Sequence, residues 1–204
     1  MERLLSRGAE ADIWLGDWMG MDAVYKTRTP KTYMLPEMDG RIRHARTARE
    51  AQLLVEAKGA GVETPTVYYV DLGRCTIVME YVAGTRLKDA LRAGSREMGA
   101  SLGRLHRGGI VHGDPTTGNF VLRDGRLCVL DFGLASRSTE LEDRAVDLHL
   151  VREAFSSAHQ DVCASALRSF TDGYSEAVGR GAGEVLRRCR EIERRGRYSR
   201  REWG

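Results

Sequence analysis

IVHGDPTTGNFVLRDGRLCVLDFG, Ile110 to Gly133, sets a loop of polar and turn-forming residues between two apolar segments. Asp114, then Asn119 five residues on, then Asp131 twelve residues further, stand at fixed intervals, each beside a short apolar stretch. A loop at the end of a strand holds polar groups on a rigid scaffold. Phosphoryl transfer from ATP needs one Asp to orient or deprotonate the nucleophile and an Asn and a second Asp to hold Mg²⁺. The metal must bridge and neutralise phosphate oxygens. A cation for the α- and β-phosphates should complete the set. Only four lysines occur in this arginine-rich chain, and Lys26 alone sits in a strand pattern, DAVYKTR. Glu50, in RTAREAQLL, has the charge and the helical setting to hold that lysine.

Working outward, strands come first and helices later, with no internal repeat. ADIWLGDWMGMDAVYKTRT (11–29) reads as a hairpin around a Gly/Met/Asp turn, and TPTVYYVDLGRCTIVMEYV (64–82) as a second. Between them, RIRHARTAREAQLLVEAKGAG (41–61) repeats apolar residues at helical spacing and ends on the C-cap signals Gly59 and Gly61. After Thr85, residues 87–109 read as a helix, 110–133 as a loop with two short strands, and 142–157, 161–178 and 183–194 as further helices. The expectation is an α+β fold of two lobes. A β-sheet lobe with one helix spans residues 1–82, a mainly helical lobe 83–193, and a basic tail 194–204. Gly196 is expected to interrupt the last helix and release Arg197–Gly204 as a flexible arm.

The 204 residues, 42% hydrophobic and 30% charged, suffice to bury one core or two small lobes sharing a cleft. Net charge is +3, yet Arg187–Gly204 holds eight arginines against three acids, so the tail is built for something anionic. Cys75, Cys128, Cys163 and Cys189 lie far apart, without a C-x-x-C pair or a histidine at ligand spacing. They read as small buried residues of a reducing, cytoplasmic compartment and indicate neither a disulfide framework nor a zinc site. The N-terminus carries charge where a signal peptide is apolar, and no apolar run approaches membrane-spanning length. His44, His106, His149 and His159 carry no pattern and read as incidental.

The order of lysine, glutamate, Asp-x₄-Asn and Asp-Phe-Gly resembles the protein-kinase fold over almost the whole chain, with MEYVAG as the hinge between lobes. GAEADIW, KTYMLPEMD, HGDPTTGNFVL, RAVDLHLVREAF and RRGRYSRR are more narrowly similar to the small atypical kinase of the KEOPS complex, the p53-related protein kinase family, in its archaeal-type single-domain form. The resemblance implies ATP and Mg²⁺ as cofactors, with Asp114 and Lys26 catalytic and Asn119 and Asp131 on the metal. Gly8, Ala9 and Glu10 would cover the phosphates, although protein kinases carry a glycine triplet where only Gly8 stands. Glu50 would pair with Lys26, Met79 would sit behind adenine, and Glu80 and Val82 would present main-chain groups to it. Lys31 belongs to the loop that resembles the family's basic insert, and Asp147 is placed to brace the catalytic loop. His112 stands where the kinases that the chain resembles carry a structural histidine, which implies packing or hydrogen bonding.

As for role, the resemblance implies a kinase or ATPase that supports threonylcarbamoyladenosine modification of tRNA. Its partners would be the threonylcarbamoyl-transferase subunit and other KEOPS subunits, with tRNA met through Arg194, Arg195, Arg197, Arg200 and Arg201. The helix pattern resumes so soon after Gly133 that no regulatory activation loop is expected. Three other readings stand beside this one: a RIO-type kinase, a small-molecule phosphotransferase, and a catalytically weak scaffold subunit.

Overall fold

In a computed structural model describing residues 3–199, the first half is an antiparallel sheet of β1 (Arg3–Arg7), β2 (Ala11–Trp18), β3 (Met21–Arg28), β4 (Val67–Asp71) and β5 (Thr76–Glu80). The strand order is β1-β2-β3-β5-β4. Between β2 and β3 the chain reverses through Met19 and Gly20, both at positive φ (54° and 84°), the twist that a two-residue hairpin demands. β1 has no counterpart in the sequence reading. Its residues are all exposed, so no alternation marks it, and only its pairing with β2 makes it a strand.

The helix of this half, α1, runs Pro36–Gly59 and begins before the expected Arg41. Pro36 suits a first helical turn, where its missing N–H costs nothing, and Glu37 and Asp39 favour the positive helix N-terminus. The apolar spacing that marks the helix farther on is simply absent from this first turn and a half. Leu53, Leu54 and Ala57 then press α1 onto the sheet.

Beyond Tyr81 come β6 (Thr85–Arg86), α2 (Leu91–Arg107), β7 (Ile110–Val111), β8 (Phe120–Arg123), β9 (Arg126–Val129), β10 (Ser136–Arg137), α3 (Leu141–Ala158), α4 (Cys163–Val178) and α5 (Ala182–Ser199). Residues 87–89 form a separate 3-10 turn ahead of α2. β6, β8 and β9 make a small antiparallel sheet, and β7 pairs with β10. α2 and α4 meet at Gly99 and Gly173, where a Cβ on either would strike the backbone of the other helix at Phe170 or Arg96. One core then runs without a break from Leu53, Leu54 and Ile77 through Leu102, Phe120 and Phe132 to Phe155, Phe170 and Tyr174. The walls of the cleft between the halves rest on this shared interior.

Two expectations are corrected here. α5 continues through Gly196 to Ser199, so no arm starts at Arg197. One glycine costs a helix only about 1 kcal/mol, and the buried Val185 and Cys189 already anchor this one. Arg200 and Arg201 lie outside the described residues. Of the cysteines, three are buried and Cys163 only partly so. Burial pushes the Cys128 and Cys189 thiols up to about 12, which leaves them unreactive. Among the described residues, no helix is long and apolar enough to cross a membrane.

Candidate active site

Strand alternation turns Lys26 of β3 toward α1, and its Nζ lies 2.6 Å from Glu50 Oε1 and 2.8 Å from Asp131 Oδ1. The Lys26 and Glu50 side chains are 7% and 1% exposed, Asp131 38%. Burial pulls the Lys26 ammonium down. The carboxylates of Glu50 and Asp131 together outweigh that pull and hold its pKa above the ordinary value. Asp131 shows the mirror effect: burial raises its pKa, but Lys26 and the N–H of Gly133, donated to Oδ1 at 2.7 Å, bring it below the usual carboxylate range. Both groups are therefore charged at neutral pH.

Asp114 and Asn119 face this pair from the loop after β7. Asn119 Nδ2 donates to the Asp114 carbonyl at 2.9 Å and to Asp114 Oδ2 at 3.1 Å, which leaves the Asn119 side-chain oxygen as the acceptor. The Asn119 carbonyl accepts from the N–H of Leu130 at 2.9 Å, tying this loop to the residue before Asp131. Asn119 and Asp131 thus offer hard oxygen donors, one of them a carboxylate. That suits Mg²⁺, which binds through one or two carboxylates with its remaining positions left to phosphate and water.

Under the loop stands Asp147 of α3, 1% exposed. It accepts from the N–H groups of His112 at 2.6 Å and Gly113 at 2.8 Å, and lies 3.0 Å from His106 Nε2. His106 Nδ1 in turn meets the Tyr174 hydroxyl at 2.9 Å. His106 is fully buried and far from incidental: it joins α2, α3 and α4 beneath the Asp114–Asn119 loop. His159 is also engaged, through the Thr117 hydroxyl at 3.2 Å. His112 stacks on Phe120 and accepts the Asp114 N–H at 3.3 Å, and burial holds its pKa below the ordinary histidine value. Gly113 has φ +78°, and a Cβ there would come within 2.5 Å of the Leu134 carbonyl oxygen. Only glycine lets the Asp-Phe-Gly segment pass so close.

An apolar slot leads inward from these groups. Ile13, Val24, Met79 and Glu80 line it from the sheet, Val82 from the connection after β5 and Leu130 from just past β9; Lys26, Asn119 and Asp131 line it as well. The N–H of Glu80 already donates to the Thr66 carbonyl, and its side chain binds Arg123 at 2.6 Å and the Thr66 N–H at 3.1 Å. Leu5 and Ser6 of β1 line the slot, whereas Gly8, Ala9 and Glu10 form the β1–β2 turn farther out.

Sequence reasoning missed three cations here. Arg28, 3% exposed, binds the second oxygen of Glu50 at 2.5 Å. Arg46 reaches Glu10 at 2.6 Å and the Gly133 carbonyl at 3.4 Å. Arg86 donates to the Gly118 carbonyl at 2.7 Å, bracing the Asp114–Asn119 loop from β6. Arg28 lies two residues after Lys26 on the same face of β3, and Arg46 one helical turn before Glu50, so strand and helix periods could have found both.

Comparison with known proteins agrees with this geometry. The family described as the ABC1 atypical kinase-like domain matches residues 21–164. The chain is 40% identical to the KEOPS complex subunit Bud32 of Pyrococcus abyssi, with 98% of each chain covered. It is 39% identical to a probable bifunctional tRNA threonylcarbamoyladenosine biosynthesis protein of Methanothermobacter thermautotrophicus, where 96% of this chain spans 36% of that longer relative. Among solved structures, the Rio2 kinase of Chaetomium thermophilum, in an ADP/Mg²⁺-phosphoaspartate complex, shares the fold. Its TM-score is 0.62 over 97% of this chain and 70% of that one, at 17% identity. With its lysine–glutamate pair, its paired loops and its likeness to Bud32 from end to end, the chain belongs to the atypical kinase-like family and, within it, to the Bud32 family.

Proposed function

We propose that the chain is an Mg-ATP-dependent kinase or ATPase, and that it serves threonylcarbamoyladenosine modification of tRNA as a KEOPS subunit. The observation that carries the first half is the double contact of Lys26 with Glu50 and Asp131, both under 3 Å. A buried ammonium held by two carboxylates on the lining of an apolar slot is a fixed point charge, set where a nucleotide's phosphates would lie with its base in the slot. Met79, Glu80 and Val82 shape the base subsite. Asp114, oriented by Asn119 and by the Asp147 anchor, accepts the proton of the attacking water or hydroxyl. Asn119 and Asp131 would hold Mg²⁺, which when bound neutralises charge on the phosphate oxygens. Residues 134–140 alone link Gly133 to α3, a connection too short to dock a peptide as signalling kinases do. That favours water or a partner-presented group as acceptor over a broad range of protein substrates.

The second half rests on the relatives. A Bud32 subunit matching over its whole length, and bifunctional proteins whose matching part is this domain, support joint work with a threonylcarbamoyl-transferase subunit. The exposed Arg194 and Arg195 of α5 offer a basic surface for tRNA in that assembly. A decisive test is Asp131→Ala. The folded variant, reconstituted with the transferase subunit and tRNA, should lose ATP turnover by about a thousandfold or more and lose tRNA modification with it. Turnover retained in a folded Asp131→Ala protein would end the phosphotransferase reading, whereas turnover lost with modification intact would end the KEOPS reading alone.

A further inference from the structure

The turn between β1 and β2 carries a carboxylate, Glu10, on the side of the cleft where phosphates would lie. An acid there repels a polyphosphate unless cations neutralise it. Three cations do so, each from a different element. Arg46 of α1 lies at 2.6 Å, Lys31 of the β3–α1 link at 3.5 Å, and Arg28 of β3 at 4.0 Å.

Each of the three is also tied to the machinery around it. Arg28 holds Glu50, Arg46 donates to the Gly133 carbonyl, and Lys31 donates to the Ala9 carbonyl. Arg28 is almost wholly buried, yet its Nε has no hydrogen-bond partner among the described residues. Its guanidinium sits against Gly133, where a Cβ would stand 3.5 Å from Nη2. Glu10, by contrast, is 52% exposed and rides on a three-residue turn. The cations are fixed by the fold, while the anion they share is free to swing into solvent.

We infer that Arg28, Lys31 and Arg46 form a subsite for a terminal phosphoryl group, and that Glu10 is its resident counter-anion, displaced when a triphosphate binds. The inference rests on the nucleotide reading of the cleft and adds to it a source of selectivity. A diphosphate is too short to compete with Glu10 and leaves it in place. A triphosphate exchanges one carboxylate for a more highly charged group whose oxygens match the guanidinium donors. Arg46 then couples that group to Gly133, so occupancy of the subsite is transmitted to the Asp131 segment.

The test is calorimetric titration of the whole chain, in Mg²⁺, with ADP and with a non-hydrolysable ATP analogue. Glu10→Gln should bind the triphosphate analogue roughly five- to tenfold more tightly, the scale of one charge-assisted contact, while ADP affinity stays within about twofold. Arg46→Gln should weaken the analogue by a similar factor and leave ADP little changed. The half-exposed position of Glu10 makes misfolding of the first variant no obstacle, and a thermal melt of each variant confirms the folded state. An unchanged ratio of triphosphate to diphosphate affinity in Glu10→Gln overturns the subsite, as does selective weakening of the analogue in that variant, which would make Glu10 a contributor to binding. If the wild-type chain bound neither nucleotide, the nucleotide reading would fall and this inference with it, whereas an unchanged ratio with both ligands bound removes the inference alone.

Discussion

Two buried polar clusters, one in each half of the molecule, are built on opposite principles. On the sheet side, Glu50 is shared by two cations, Lys26 and Arg28, each within 2.6 Å and all nearly without solvent. On the helical side, Asp147 gathers two backbone N–H groups and a histidine that ends on a tyrosine hydroxyl. The first cluster carries formal charge that it can offer to a ligand. The second spends its single carboxylate on hydrogen bonds that fix the loop bearing Asp114. A charge cluster tolerates loss of one member when another takes over its partner, whereas a hydrogen-bond anchor leaves buried donors orphaned.

The sharpest way to separate them is Lys26→Ala. Arg28 still covers Glu50, so the fold should survive, while the rate of ATP turnover falls about a hundredfold or more, near 3 kcal/mol for a lost electrostatic stabiliser. Steady-state turnover beside a urea melt tests this. Stability lost in proportion to activity would show that the two cations do not share the load.

Asp147→Ala is the converse. It strands the His112 and Gly113 N–H groups and His106 in the interior, and should cost roughly 3 kcal/mol of stability. The urea midpoint should drop while the slope of the unfolding curve stays the same. A midpoint shift no larger than that of Lys26→Ala would erase the distinction between anchor and charge cluster.

The smallest effect is a pH dependence seated on the helical side. Burial keeps the folded-state pKa of His112 below the unfolded value near 6.5, against the opposing pull of Asp147, Asp131 and Asp114. The unfolded chain therefore takes up a proton first. Stability should decline as pH falls below about 6.5, by about 1.4 kcal/mol for each unit until the folded pKa is reached. The depressed Asp131 adds its own loss only below its ordinary value of 3.8. Between those limits, unfolding midpoints of His112→Phe should be flatter with pH than those of the wild type. Equal slopes would move the acid sensitivity to another group.

How much of this was legible beforehand depends on the range of the interaction. The hairpin of β2 and β3, the bounds of α3 and α4, and the spacing of Asp114, Asn119 and Asp131 are local facts, carried by turn chemistry and by the helical and strand periods. The start of α1 is not legible, because its first turn carries charge in place of apolar spacing. β1 has no pattern of its own, being an exposed edge strand. The helix runs on through Gly196 because packing overrides a propensity of only about 1 kcal/mol.

By itself, then, the order of residues determined the chemistry on offer: one strand lysine, one helix glutamate, and an Asp, Asn and Asp on loops that follow apolar runs. It also determined the division into a β-rich half and an α-rich half, since periodicity is a property of neighbours. Beyond the Lys26–Glu50 pair, tertiary structure alone decided which charges meet. Arg28 shares Glu50, Arg46 and Lys31 converge on Glu10, and His106 passes a hydrogen bond from Asp147 to Tyr174, sixty-eight positions away along the chain. No local period encodes such pairs. They exist because a continuous core fixes α1, α2, α3 and α4 around the cleft, and a polar group buried there must find a partner wherever the packing leaves one.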